Sequence, residues 1–256
     1  MLKEMANEEG VGIVALTESH LNNDYHDGEI AINNFTNFRV DRCQGTRKGG
    51  VIIYLRSCLT PNANLLLSES HGNIEYAVLD NPAACITLVC VYRPPTAELS
   101  VFIDVLSKIN QCLVLLSSRS SLAFCGDLNF PNIRWPSLVI QGGTRALCQQ
   151  AQALLDFFGE HFLLQIIEEP IRGTNILDLF AVNDDKLILR YQVMSKSKIS
   201  DHNVVLITTT QYLTPESHTT SILEPLFTLN FWSKSIDWSV IGAKFSSINW
   251  ETQLTI

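Results

Sequence analysis

Apolar residues along the chain fall into short runs separated by Asn, Gly, Pro and Asp clusters. Nine runs are rich in β-branched and aromatic residues and bounded by turn formers. They predict strands over residues 11–16, 35–40, 50–55, 74–79, 85–92, 121–125, 176–182, 188–194 and 204–209. Two stretches carry the helical period instead. Leu99, Phe102, Ile103, Leu106, Ile109 and Leu113 recur on one face of a helix. Leu147, Ala151, Leu154, Leu155 and Phe158 do the same after Thr144, whose hydroxyl suits an N-cap. Many strands with a few interleaved helices predict a layered α/β or α+β domain. From Leu213 onward the periodicity fades, and Trp232, Trp238 and Trp250 are scattered among Ser, Thr and Asn. The expected organisation is one domain over residues 1–213 and a linker-like extension over 214–256.

Composition narrows the class. With 46% hydrophobic and 17% charged residues in a 256-residue chain, there is apolar material for a sizeable core. The longest apolar runs are strand-sized, far short of the roughly 20 residues a spanning helix needs. The N-terminal MLKEMANEEG lacks a basic segment followed by an apolar stretch, so no secretory signal is read. An intracellular protein, nuclear or cytoplasmic, is expected. The seven cysteines, Cys43, Cys58, Cys85, Cys90, Cys112, Cys125 and Cys148, are odd in number and show no C-x-x-C spacing. They are read as reduced thiols that pack as small hydrophobes. The net charge of -8 argues mildly against tight, sequence-specific DNA binding. Carboxylates of a metal site would contribute to that count, and a bound cation would offset part of it.

Four polar clusters interrupt the pattern. The first is Thr17-Glu18-Ser19-His20, where a carboxylate follows an apolar run and offers the hard oxygen that magnesium favours. The second is Tyr92-Arg93-Pro94-Pro95, a strand cut short by two prolines, with a phenol and a guanidinium that could both meet a phosphate. The third is Gly126-Asp127-Leu128-Asn129. Asp127 and Asn129 stand two apart, suited to a general base and an orienting amide, and equally to an Asx turn. The fourth is Ser200-Asp201-His202-Asn203. Asp178 belongs with it, because it interrupts the apolar run Ile176-Leu177-Asp178-Leu179-Phe180. A buried carboxylate needs a partner, and the His202 imidazole is the natural one.

Taken in order, these clusters resemble the endonuclease/exonuclease/phosphatase (DNase-I-like) superfamily. The phrases ALTESHL, RKGGVIIYLR, VYRPP, FCGDLNFPNIRW, TNILDLFAVND and SKISDHNVVL are closest to the endonuclease domain of non-LTR retrotransposon polyproteins. The resemblance covers residues 11–206, and the Trp-bearing tail resembles the linker that precedes the reverse transcriptase. It implies a four-layered α/β sandwich, two packed and mostly antiparallel sheets flanked by helices. It implies a Mg2+-dependent (or Mn2+-dependent) DNA endonuclease that nicks DNA. Glu18 and Asp201 would serve the metal. Tyr92, Asp127, Asn129, Asp178 and His202 would be catalytic. Arg93, Asn175 and Ser200 would flank the substrate.

The resemblance also implies a strand carrying an Asn ahead of a helix at residues 2–9. Read from Met1, that first strand is expected to be missing. Two alternatives follow. One is a catalytically impaired relic of a mobile element, acting as a binding module or without function. The other is a phosphatase or phosphodiesterase of the same fold that acts on a lipid or inositol phosphate.

Overall fold

A computed structural model describes residues 10–42, 48–116, 120–194 and 202–210. The chain divides into two units, 1–216 and 217–256, and all described residues belong to the first. The extension read at 214–256 and the helix read at 2–9 lie outside the described residues.

The largest element is a six-stranded sheet. It contains β4 (Asn64–His71), β5 (Ile74–Asn81), β6 (Ile86–Tyr92), β7 (Ser121–Asp127), β10 (Leu164–Gln165) and β11 (Asp178–Val182), in the order β10-β11-β7-β6-β5-β4. Only β6 and β7 run parallel; the other neighbours are antiparallel. That parallel step requires a crossover. It is supplied by α2 (Leu99–Val114), the first of the two long helices. A second sheet has the order β1-β3-β2, formed by Ile13–Thr17, Val51–Arg56 and Phe35–Val40. Among the described residues β1 pairs with β3 alone and so forms one edge of this sheet. Two hairpins complete the set: β8 (Ile133–Arg134) with β9 (Val139–Ile140), and β12 (Ile188–Met194) with β13 (Val204–Thr209).

Every residue of β5 and β6 is buried. Side chains alternate across a strand, so complete burial means that both faces are covered. On one face Tyr76, Val78, Val89, Val91 and Phe124 meet Phe102, Val105 and Ile109 of α2. They also meet Leu154, Phe157 and Phe158 of α3 (Arg145–Glu160). The Phe124 ring lies edge-on to Phe158 at 5.3 Å. On the other face Ala77, Leu79, Leu88, Cys90 and Ala123 pack against Val51, Ile53 and Leu55 of β3. The outer side of the small sheet buries Ile52 and Tyr54 against Ile32 and the single helical turn α1 (Asp27–Ile30). The layers are therefore helices, large sheet, small sheet and a thin outer layer, the four-layered arrangement the sequence implied.

The nine strands read from the pattern are all present, with ends shifted by up to two residues. β4 was not read. It has no β-branched residue and lies at the edge of the sheet, where Leu65 and Leu66 stay partly exposed. Thr144 caps α3 as expected, its Oγ1 accepting the Leu147 N–H at 3.2 Å. The described cysteines, six of the seven, are free thiols.

Candidate active site

Strand ends from both sheets bring the polar clusters together. Glu18 follows β1 with φ +53°, a left-handed conformation uncommon for a side chain of this size. The turn is held by the β3 approach, where the His20 N–H donates to Gly49 O at 2.8 Å. Gly50 has φ +95°, and a Cβ there would come within 2.2 Å of Ser19 Oγ, so glycine is needed for the two segments to touch. The Glu18 carboxylate accepts the Tyr92 hydroxyl at 2.5 Å. Burial, and then the Glu18 hydrogen bond, push the Tyr92 phenol well above its ordinary pKa. It therefore remains a donor across the working pH range.

Behind Tyr92 lies a group the sequence reading missed. Glu75 on β5 is fully buried and accepts Arg42 Nε at 2.9 Å, Arg42 Nη2 at 3.1 Å, Gly50 N–H at 3.0 Å and Ser70 Oγ at 3.1 Å. Arg42 also stands 5.6 Å from the centre of the Tyr92 ring. A carboxylate with four donors satisfies the demand that a buried charge be paired. The cluster ties the Gly49–Gly50 segment, and through it Glu18, to the large sheet. Glu75 falls inside the predicted strand 74–79, but its Arg42 and Gly50 partners lie 33 and 25 positions away.

The other half of the site stands on β7 and β11. Asp127 and Asp178 are direct cross-strand partners. Like charges in that position repel. Asp127 is only 2% exposed, and burial first, then Asp178, raises its pKa to about 7. His202 offsets part of this: its Nδ1 lies 2.6 Å from Asp178 Oδ2. That hydrogen bond raises the pKa of His202 despite partial burial. Asn129, also left-handed at φ +51°, sends its backbone N–H to Asp127 Oδ1 at 3.2 Å. The Gly-Asp-x-Asn segment is thus an Asx-type turn and a site element at once. Gly126 makes it possible, because a Cβ there would fall 1.9 Å from Val91 O.

Beside Asn129 is a pocket of about 330 Å³ lined by Pro95, Asn129, Pro131, Arg172, Asn175 and Leu177. Asn175 is held there by a two-way backbone bridge with Arg172.

Residues 86–206 match the family described as Endonuclease-reverse transcriptase. No curated protein matches the chain by sequence. Among solved structures, the endonuclease domain of TRAS1, a telomere-specific non-LTR retrotransposon, is similar with a TM-score of 0.56 at 17% identity, over 82% of this chain and 90% of that one. The Xenopus laevis APE2 catalytic domain gives 0.56 at 15% identity, over 84% and 88%. The AP endonuclease LMAP from Leishmania major gives 0.54 at 12%, over 80% of each. The chain has the DNase-I-like fold.

A DNase-I-like domain with this donor set fits a divalent cation. Single ligand atoms of Asp127, Asp178 and His202 lie within 4.8 Å of one another. Asp178 and Glu18 both push the Asp127 pKa upward, a repulsion that a cation would relieve. Among the described residues no helix is long and apolar enough to cross a membrane.

One expectation is corrected. Arg93 was read as a substrate contact, but it is fully buried. Tyr92 and Arg93 are consecutive at the end of an extended strand, so they leave on opposite faces. Tyr92 turns towards the small sheet and Glu18, whereas Arg93 turns towards Phe102 and Phe130 on the helix side. Arg172 was not singled out in the sequence, yet it lines the pocket beside Asn175. Ser200 and Asp201 lie outside the described residues.

Proposed function

We propose that the chain is a metal-dependent DNA endonuclease of the retrotransposon type, its catalytic domain spanning residues 1–213 with 214–256 as a linker. The observation that carries this reading is the Asp178–His202 pair at 2.6 Å beside the buried Asp127. Supporting it are the family match and the naming of TRAS1 as a retrotransposon endonuclease.

Asp127 takes a proton from water as the water oxygen bonds to phosphorus. The bond from phosphorus to the 3′ oxygen breaks, leaving a 3′-hydroxyl once that oxygen takes a proton from solvent water and a 5′-phosphate on the other fragment. Asp178 accepts a hydrogen bond from the His202 Nδ1–H and so fixes the tautomer. Nε2 then donates to a phosphoryl oxygen where negative charge grows. Asn129 orients the water or phosphate from its rigid turn. Tyr92, held protonated, positions Glu18. Magnesium, or manganese, held by Glu18 and Asp201 would neutralise charge on the phosphate and leaving oxygen. Asn175, Arg172 and Ser200 would contact the DNA flanking the cut.

The test is nicking of supercoiled plasmid by the purified chain with magnesium and with EDTA. Nicking is expected only with metal, and His202→Ala and Asp127→Ala are each expected to lower it by roughly 100-fold or more. A folded protein that leaves the plasmid supercoiled would overturn the reading.

A further inference from the structure

A buried guanidinium stands directly behind the Asp127–Asn129 turn, and the proposed reaction does not use it. Arg93 is fully buried. Its Nη1 donates to Leu128 O at 3.0 Å and to Asn129 O at 3.3 Å. Nε donates to Gln150 Oε1 at 2.7 Å, and Nη2 donates to the same oxygen. The plane lies 4.2 Å from the centre of the Phe130 ring. Gln150, on α3 and 2% exposed, is itself fixed by Nε2 donating to Ala97 O at 2.9 Å. The Arg93 backbone closes the circle. Its N–H donates to Asp127 O at 2.9 Å, and its carbonyl accepts Asn129 Nδ2 at 3.0 Å.

This arrangement is costly. A cation is held in the core by an amide, carbonyls and ring faces, and a buried charge of that kind survives only where the structure around it demands it. What the guanidinium supplies is a planar fork that grips the two carbonyls following Asp127. Those carbonyls set the left-handed bend at Asn129. The same bend turns the Asn129 side chain back to Arg93 O.

We infer that Arg93 and Gln150 form a clamp that positions the Asn129 side chain for the phosphodiester chemistry. Neither residue touches substrate. Gln150 is reached through the helix, 57 positions from Arg93 in sequence. The inference rests on the nuclease reading for its kinetic readout, but its geometric content stands apart from it.

The experiment uses the full chain and a labelled duplex oligonucleotide. Gln150→Leu removes the acceptor, and Gln150→Glu keeps it. In Gln150→Leu kcat is expected to fall roughly ten- to a hundredfold with KM within about twofold, because misplacement harms the transition state more than binding. Gln150→Glu is expected to recover most of the loss. Asn129→Ala in either background gives a double-mutant cycle. If Gln150 acts through Asn129, Gln150→Leu costs almost nothing further once Asn129 is gone. Losses that multiply, or an unchanged kcat in folded Gln150→Leu, would overturn the clamp. A parallel measurement follows the Asn129 side-chain amide by NMR. The clamp predicts a protected, shifted Nδ2 signal that collapses towards free amide in Gln150→Leu and persists in Gln150→Glu. An Asn129 signal indifferent to both substitutions overturns the clamp even if the wild type cleaves DNA. A wild type that does not cleave, with the NMR response intact, overturns the nuclease reading and leaves the clamp standing.

Discussion

Two arginines flank the site, one partly and one fully buried, and they are held in opposite ways. Arg42 meets a carboxylate, Glu75, in two hydrogen bonds, and Glu75 takes two further donors. Arg93 meets the amide of Gln150, two backbone carbonyls and two aromatic rings. Burial works against the charge of both. For Arg42 the Glu75 hydrogen bonds more than offset it, and the pKa moves up. For Arg93 burial prevails and the pKa comes down to about 10, still well above neutrality. The first is a neutral strut that joins the sheets behind Glu18 and Tyr92. The second is a cation that grips a turn. The same side chain, partly buried in one place and fully buried in the other, thus supports the two halves of the site by different physics.

The largest expected effect breaks the strut. Arg42→Met strands the Glu75 carboxylate in the core, at a cost of about 3–5 kcal/mol. The unfolding midpoint should fall by roughly 6–20 °C at that cost. Arg93→Met strands only neutral acceptors, so its cost should be about 1–3 kcal/mol. Urea denaturation of both variants checks the order. If Arg93→Met proves the more destabilising, the contrast between strut and grip is wrong.

The same contrast explains what the sequence made legible. Strand positions were readable because burial on both faces writes continuous apolar runs, as in 74–79 and 85–92. Site residues at strand ends were readable because Glu18, Asp127 and Asp178 interrupt or terminate such runs. Glu75, Arg42 and Gln150 were not. Each owes its place to a partner at least 25 positions away, and local pattern carries no trace of that. The error at Arg93 has a simpler cause. Adjacency to Tyr92 at a strand end means opposite faces, so the two side chains do not share a location.

An intermediate effect concerns pH, and it separates the rim carboxylates from the strut. The folded pKa of Asp127, about 7, lies above its ordinary 3.8. Between those values the folded state keeps a proton that the unfolded chain has released, so stability falls as pH rises through that window. His202 has the same sign. Its raised pKa adds stability below about 6.5, and this is lost as pH rises through the folded value. In EDTA, the unfolding midpoint should therefore be higher at pH 5.5 than at pH 8. Asp127→Asn should flatten most of the slope, and magnesium should raise the midpoint at pH 8 more in wild type than in that variant. A wild-type curve that is flat or rises between those pH values would count against the burial of Asp127 and its repulsion by Asp178.

The smallest effect serves as the control for the clamp. Thr144 caps the helix that carries Gln150, but it lies at the exposed first turn, while Gln150 sits in the core packed against Arg93. Thr144→Ala removes one hydrogen bond to the Leu147 N–H and should cost about 0.5–2 kcal/mol. That is comparable to the cost expected for disturbing Arg93. If stability alone governed turnover, Thr144→Ala and Gln150→Leu would lower kcat alike. If the clamp acts on Asn129, Thr144→Ala leaves kcat at the wild-type value while its denaturation curve shifts. Steady-state cleavage at a temperature where both variants are fully folded decides between these outcomes. A parallel drop in kcat would mean that α3 as a whole, and not the Gln150 side chain, sets the geometry of the turn.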